Sequence, residues 1–331
     1  MSKPIAAHAA LRQVHSCVNN RRIRRVSHSY VLFGIPIHSE FRLPELAEVP
    51  AAPRATLSIS RGRVDPDLAG AIYGNRHFQM CGGDIKLSIP GVARFHVRDG
   101  VMIVVDPDPA ATDKQIQLFL LGTAMGMACL QRGLLPLHAN AIAMEGRAVG
   151  FAGASGVGKS TLAAHYLRHG DGVLADDICA VDLVGEDAVP IVHPGISRIR
   201  LWKQSLHLLE EGAGPLEPVH PGIDKFSWAN PGRTEPMPLS ALYILSRSDG
   251  EETMSVRRLH GGEAIRCLIE QTYRHDLLQT VPNYHFRIDQ AFALAARVPV
   301  FAVCWPHDFA GLQANARQLR EHALGQVACA T

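Results

Sequence analysis

Gly153-Ala154-Ser155-Gly156-Val157-Gly158-Lys159-Ser160 constrains the fold of this chain more than any other segment. It has the spacing G-x-x-x-x-G-K-[ST], with the apolar run Ala148 to Ala152 before it and the amphipathic stretch Thr161 to Leu167 after it, so a strand, a glycine-rich turn and a helix must follow in that order. The glycines let successive N–H groups turn inward, and the helix beginning near Lys159 adds the positive end of its dipole. Such a turn is built for a polyanion. Lys159 supplies a point charge for β- and γ-phosphates, and the Ser160 hydroxyl is a natural ligand for the Mg²⁺ that bridges them. ATP with Mg²⁺ is therefore the expected cofactor, touched by Gly153 through Thr161.

Nucleotide binding alone transfers nothing, so acids and bases must come from elsewhere. Gly172-Val173-Leu174-Ala175 reads as a strand ending in Asp176-Asp177. Parallel to the strand before the phosphate loop, it would deliver both carboxylates to the sheet edge where phosphates lie. One could hold Mg²⁺ and the other accept the proton of an attacking hydroxyl; carboxylates at strand ends also serve as turn formers. His138 lies on a predicted strand, Leu137 to Met144, that forms a hairpin with Ala148 to Ala152 through Glu145 and Gly146. That pairing places His138 at the phosphate-loop end, although a single histidine on an apolar strand is more commonly a core residue. Arg198 and Arg200, in the segment His193 to Trp202, are candidates for the cation that balances charge on a transferred phosphoryl group, or equally ordinary surface charge. Lys225 is a weaker candidate for the same duty.

The rest of the chain divides by rhythm. Residues 1 to 28 carry six Lys and Arg and no acid, against a whole-chain net charge of +2. This basic tail is read as a solvated, flexible terminus, and no nucleic-acid partner is expected. From 29 to 133 the sequence is β-rich: Tyr30 to Ile37, Thr56 to Ser60, His77 to Met80, Ile85 to Ile89, Ala93 to Val97 and Val101 to Val105 are strand-like pieces separated by Pro and Gly, and Lys114 to Arg132 is one helix stopped by Gly133. From 134 to 331 strands alternate with helices, the pattern of helices packed on a mixed or parallel sheet. Predicted there are a helix over Lys159 to His169, a strand within Gly172 to Val181, a strand over Ala241 to Ser246, helices over Gly262 to Arg274 and Tyr284 to Arg297, a strand over Val300 to Cys304, and a last helix capped by Asp308. The fold class is α/β (α+β overall).

The seven cysteines are scattered and never form C-x-x-C, which excludes a zinc ribbon and predicts a reducing, cytoplasmic setting. No secretory signal is visible. The apolar run Leu118 to Leu130 is too short to span a bilayer, so no membrane partner is expected.

Taken together, His138, the Gly153–Ser160 loop and Leu174-Ala175-Asp176-Asp177 resemble the catalytic domain of the HPr kinase/phosphorylase family, bacterial serine kinases related in their nucleotide site to phosphoenolpyruvate carboxykinases. The likeness runs from about Leu135 to Ile178 and on to Trp202. It implies a P-loop mixed sheet with flanking helices, His138 near the transferred phosphate, Asp176 as proton acceptor, and Asp177 with Ser160 organising Mg²⁺. The family's members are typically homo-oligomers. Two departures stand out: Thr161 replaces the usual Glu after Ser160, and the later Glu-Ile-Arg-Gly signature is missing. The chain is thus similar to divergent members, some of which resemble tailoring kinases of ribosomal peptides such as lasso-peptide precursors. The expected function is a serine kinase acting on a small protein or peptide. A non-catalytic nucleotide sensor and a small-molecule or carboxykinase-like phosphotransferase are the alternatives.

Overall fold

A computed structural model describes residues 27–50, 56–71, 73–75, 77–183, 188–196, 198–203, 206, 216–220, 223–229, 234–248, 253–278, 286–306 and 311–330. The basic tail call, apart from its last residues, and the Asp308 cap lie outside them.

In the first part of the chain, alternating apolar residues build one eight-stranded sheet. Its order across the sheet is His28–Leu32, Ile35–Ser39, Leu57–Arg61, Met102–Pro107, Ala93–Arg98, Asp84–Ile89, Phe78–Cys81 and Tyr73–Asn75. Tyr30 to Ile37, one run in the sequence, is folded into a hairpin whose turn is Phe33-Gly34, both at positive φ. Ile85, Leu87, Phe95, Val97, Ile103 and Val105 all point to one buried face, as the period of two requires. That face is covered by the helical segment Asp113–Gln131, which starts at a capping box between Thr112 and Gln115. The predicted single helix carries a π-helical turn over Leu120–Ala124, entirely buried.

A second, nine-stranded mixed sheet holds the phosphate-loop motif. Arg147–Gly153 runs parallel to Met237–Ser248, which runs parallel to Val300–Pro306, with Ser255–Leu259 at the edge. On the other side Arg147–Gly153 pairs with Ala139–Met144 in the predicted hairpin, and Ala139–Met144 pairs in turn with Gly172–Ala175. The first half of Met237–Ser248 also pairs with Ile191–His193, which leads through Cys179–Asp182 to Leu135–Leu137. Helices Lys159–Arg168 and Leu312–Cys329 pack one face through Leu162, Tyr166, Ala316, Leu319 and Ala323. Arg198–Trp202, which forms a small sheet with Ile223–Ala229 and Glu217–His220, adds Ile199 and Leu201 to that layer. Helices Gly261–Glu270 and Phe286–Arg297 cover the opposite face.

The two sheets meet through the helical segment Asp113–Gln131, whose core is continuous with Ile178, Tyr273 and Leu278 of the second. The Phe33 N–H also donates to the Pro194 carbonyl at 3.1 Å. Among the described residues no helix is long and apolar enough to cross a membrane, and the six cysteines are unpaired.

Candidate active site

The two strands expected to carry the chemistry are each interrupted. Leu135 to Met144 breaks at His138, so that histidine stands between strands rather than on one, and Gly172 to Asp182 breaks at Asp176 to Ile178. Both halves keep antiparallel register, Ala141 opposite Ala175 and Leu137 opposite Cys179. Between those pairs the ladder opens, freeing backbone and side chains of both strands for other partners. The His138 N–H donates to the Gln271 carbonyl at 2.7 Å, and Asp177 adopts φ 71°, in the left-handed region where only a short polar side chain is tolerated well.

Gly172–Ala175 is parallel in direction to Arg147–Gly153, with Ala139–Met144 between them, so the acids and the loop emerge at one end of the sheet. Gly153, Gly156 and Gly158 take φ of 142°, 84° and 114°. A side chain at Gly153 would collide with the Leu245 carbonyl and one at Gly158 with the Trp305 ring, so the motif's two fixed glycines are required by packing as well as by backbone angle. Val157 is buried, and its carbonyl accepts from Arg247 Nε at 3.3 Å. The helix Lys159–Arg168 starts with no side-chain cap, which leaves the amides of its first turn facing the loop.

Lys159 Nζ donates to the carbonyls of Gly153 (2.6 Å) and Ala154 (3.1 Å) and lies 3.1 Å from His138 Nε2. The opposite nitrogen, His138 Nδ1, is 3.2 Å from the Asp177 carbonyl and 3.4 Å from Asp177 Oδ1. An ammonium can only donate, so Nε2 accepts and the ring proton sits on Nδ1, facing Asp177.

The adjacent acids have different surroundings. Asp176 is buried, and both its oxygens are engaged: Oδ1 accepts from the Ser160 hydroxyl at 3.2 Å and Oδ2 from the Arg200 N–H at 2.9 Å. Asp177 is half-buried, with Arg200 Nη1 3.4 Å from its Oδ2. Arg200 also approaches Glu45, in the turn after the strand Ile35–Ser39, at 3.9 Å. Of the two candidate cations, Arg198 and Arg200, it is Arg200, one alternation further along the strand Arg198–Trp202, whose backbone N–H meets Asp176 and whose guanidinium lies beside Asp177. Lys225 pairs by backbone with Trp202, at the far end of that strand from Arg198. Thr161 is buried in the first turn of the helix.

Sequence reasoning missed the segment Gln271 to Asp276, whose first part, to Arg274, was read as the end of a helix that in fact stops at Glu270. The Tyr273 N–H donates to the Pro136 carbonyl at 2.8 Å and Thr272 bridges Leu137, so the segment docks beside the broken strand. With His138, Gly153, Ala154, Ser155, Asp177 and Glu270 it lines an open cavity of about 510 Å³. Tyr273 packs its ring 6.2 Å from the His138 ring; burial, and then the charge of Asp177, push its phenol up to about 12, so it stays protonated. No periodicity or motif marks these residues; only the three-dimensional docking does.

No protein-family model matches the chain, and no curated protein does. Among solved structures it is similar to the HPr(Ser) kinase/phosphatase from Coxiella burnetii, at 13% identity, over 57% of this chain and 97% of that one, with a TM-score of 0.31.

Proposed function

We propose that this chain is an ATP- and Mg²⁺-dependent phosphotransferase that moves the γ-phosphoryl group to a hydroxyl on a small protein or peptide. The observation that carries this reading is the bond between Ser160 and Asp176, which joins the glycine loop and the acid pair into one site. The uncapped helix start, the inward-turned loop and Lys159 suit a triphosphate. Ser160 and Asp176 are hard oxygen donors and fit Mg²⁺, which is held by one or two protein oxygens and keeps water and phosphate as its other ligands. When bound, the cation neutralises charge on the β- and γ-oxygens.

The geometry favours Asp177, rather than Asp176, as the proton acceptor. Asp176 is enclosed, with both oxygens engaged on the Ser160 side, whereas Asp177 lines the open cavity through which an acceptor hydroxyl would enter. In the transfer, the acceptor oxygen bonds to the γ-phosphorus as the bond to the β–γ bridging oxygen breaks; ADP leaves, and the hydroxyl proton passes to Asp177. His138, held by Lys159 and Asp177, fixes the positions of both, and Arg200 balances the negative charge of the acid pair.

Asp176→Asn and Asp177→Asn separate these roles. With labelled ATP, Mg²⁺ and candidate peptides, Asp177→Asn is expected to lower transfer by about 10²- to 10⁴-fold while MgATP affinity persists. Asp176→Asn is expected to weaken MgATP binding itself. Full transfer by Asp177→Asn would return the base role to Asp176; no MgATP binding by the unaltered protein would end the kinase reading.

A further inference from the structure

Asn140 sits where the strand ladder opens. It directly follows Ala139, which pairs with Ala152 just before the phosphate loop, and it directly precedes Ala141, which pairs with Ala175 just before the acids. The register on either side of the opening places it opposite Asp176. Its cross-strand partner is Phe151, and with Phe151 and Ile142 it belongs to the sheet face under the helix Lys159–Arg168. It is 1% exposed, and among the described residues neither its Oδ1 nor its Nδ2 has a hydrogen-bond partner.

A buried carboxamide bonded to nothing destabilises a fold, and an apolar residue of the same shape avoids that cost. Ile142 and Met144, further along the strand, show that apolar side chains fill this face well. Asp176 is adjacent by register, yet its oxygens accept from Ser160 and Arg200 and not from the Asn140 amide. A polar group is therefore held in the core beneath the Ser160–Asp176 pair without a protein partner.

We propose that Asn140 is a positioning residue for the divalent cation, its carboxamide becoming hydrogen-bonded when Mg²⁺ and its attached water bind beside Ser160 and Asp176. This rests on the reading of that pair as the cation site. Mg²⁺ gives up its waters reluctantly, and each such water is a strong donor, so Oδ1 can accept from one while Nδ2 donates toward the carboxylate side. Neither contact needs the nucleotide. Asn140 thus couples cation binding to the stability of the sheet, because the cation's water supplies a partner that the surrounding side chains do not.

The test measures ATP affinity by calorimetry, once with Mg²⁺ and once with EDTA, in the unaltered protein, in Asn140→Leu, which is close in shape, and in Asn140→Ala in case the larger side chain prevents folding. The ratio of the two affinities is expected to fall about tenfold in the variants through weaker binding with Mg²⁺, with binding in EDTA unchanged. The free Asn140→Leu protein is expected to unfold at a temperature no lower than the unaltered one. An unchanged ratio in both variants would overturn the proposal and leave Asn140 as a core residue bonded to a buried water. Equal losses with and without Mg²⁺ would overturn it in favour of a contact with the nucleotide. If the unaltered protein itself shows no Mg²⁺-dependent binding, the cation site as a whole fails, which is a different result from failure of Asn140 alone.

Discussion

The two sheets of this chain use the same antiparallel pairing to opposite ends. In the first, Asp84–Ile89 and Ala93–Arg98 run in unbroken register from Asp84 opposite Arg98 to Ile89 opposite Ala93. In the second, the strands from Leu135 and from Gly172 keep register at both ends and part in the middle, and into that gap fall His138, Asn140, Asp176 and Asp177. A continuous ladder satisfies its own backbone and offers side chains only for packing. An opened ladder hands the His138 N–H to the Gln271 carbonyl and the Asp176 carboxylate to the Arg200 N–H, and turns polar side chains toward one another. Stability should therefore concentrate in the first sheet and chemistry in the opening of the second.

That contrast is open to attack by substitution. The largest effect on stability is expected in the intact ladder: Phe95→Ala, at a fully buried position, should cost about 3–5 kcal/mol by denaturant unfolding while leaving MgATP affinity within twofold. A large loss of affinity would mean the sheets are not separable in this way. Next comes the bidentate pair of Arg320 with buried Asp171, at 2.7 and 2.8 Å, which pins the last helix to the end of the helix that follows the phosphate loop. Arg320→Leu strands that carboxylate and should cost about 3 kcal/mol, again with little effect on nucleotide binding. Within the opening the sign should reverse. Asp177→Gly relieves a left-handed backbone and should stabilise the protein by up to about 1 kcal/mol while abolishing transfer, whereas a loss of stability would show that the Arg200 and His138 contacts outweigh the strain. The effect that is smallest at neutral pH, where it vanishes, concerns titration. Burial, and then the neighbouring charges of His169, Arg168 and Arg317, lower His165 to about 4 from an ordinary 6.5. The folded state then keeps it neutral while the unfolded chain takes up a proton, so stability should be full above pH 6.5 and decline as pH falls toward about 4. His165→Gln should flatten that decline in melting curves recorded across this range.

Much of the second sheet was legible in the residues. The hairpin at Glu145 and Gly146, the strand–loop–helix at Gly153 and the delivery of Asp176 to the same sheet end follow from apolar runs, glycine spacing and strand direction alone. The end of the strand at Ala175 was legible, because Asp176-Asp177 closes its apolar run. The break at His138 was not, because Leu137 to Met144 is otherwise apolar and the break arises from what docks against it. Arg198 and Arg200 are equivalent in a sequence, both on one face of one strand; which of them meets the acids depends on where that strand crosses the sheet. Gln271 to Asp276 carries no signal because its place is set by the Pro136 carbonyl, far away along the chain.

Tyr273 ties these observations to the architecture. Gly126, in the helix between the sheets, leaves room for its ring, and a methyl group there would approach Tyr273 Cδ1 to 2.7 Å. The same ring lies 6.2 Å from the His138 imidazole, tilted 44° to it. The part of the chain up to Gly133 is thus a buttress for the imidazole: a shortened protein beginning after Gly133 would expose Tyr273 and Ile178 to water and would lose the alignment of His138 before it lost the glycine loop.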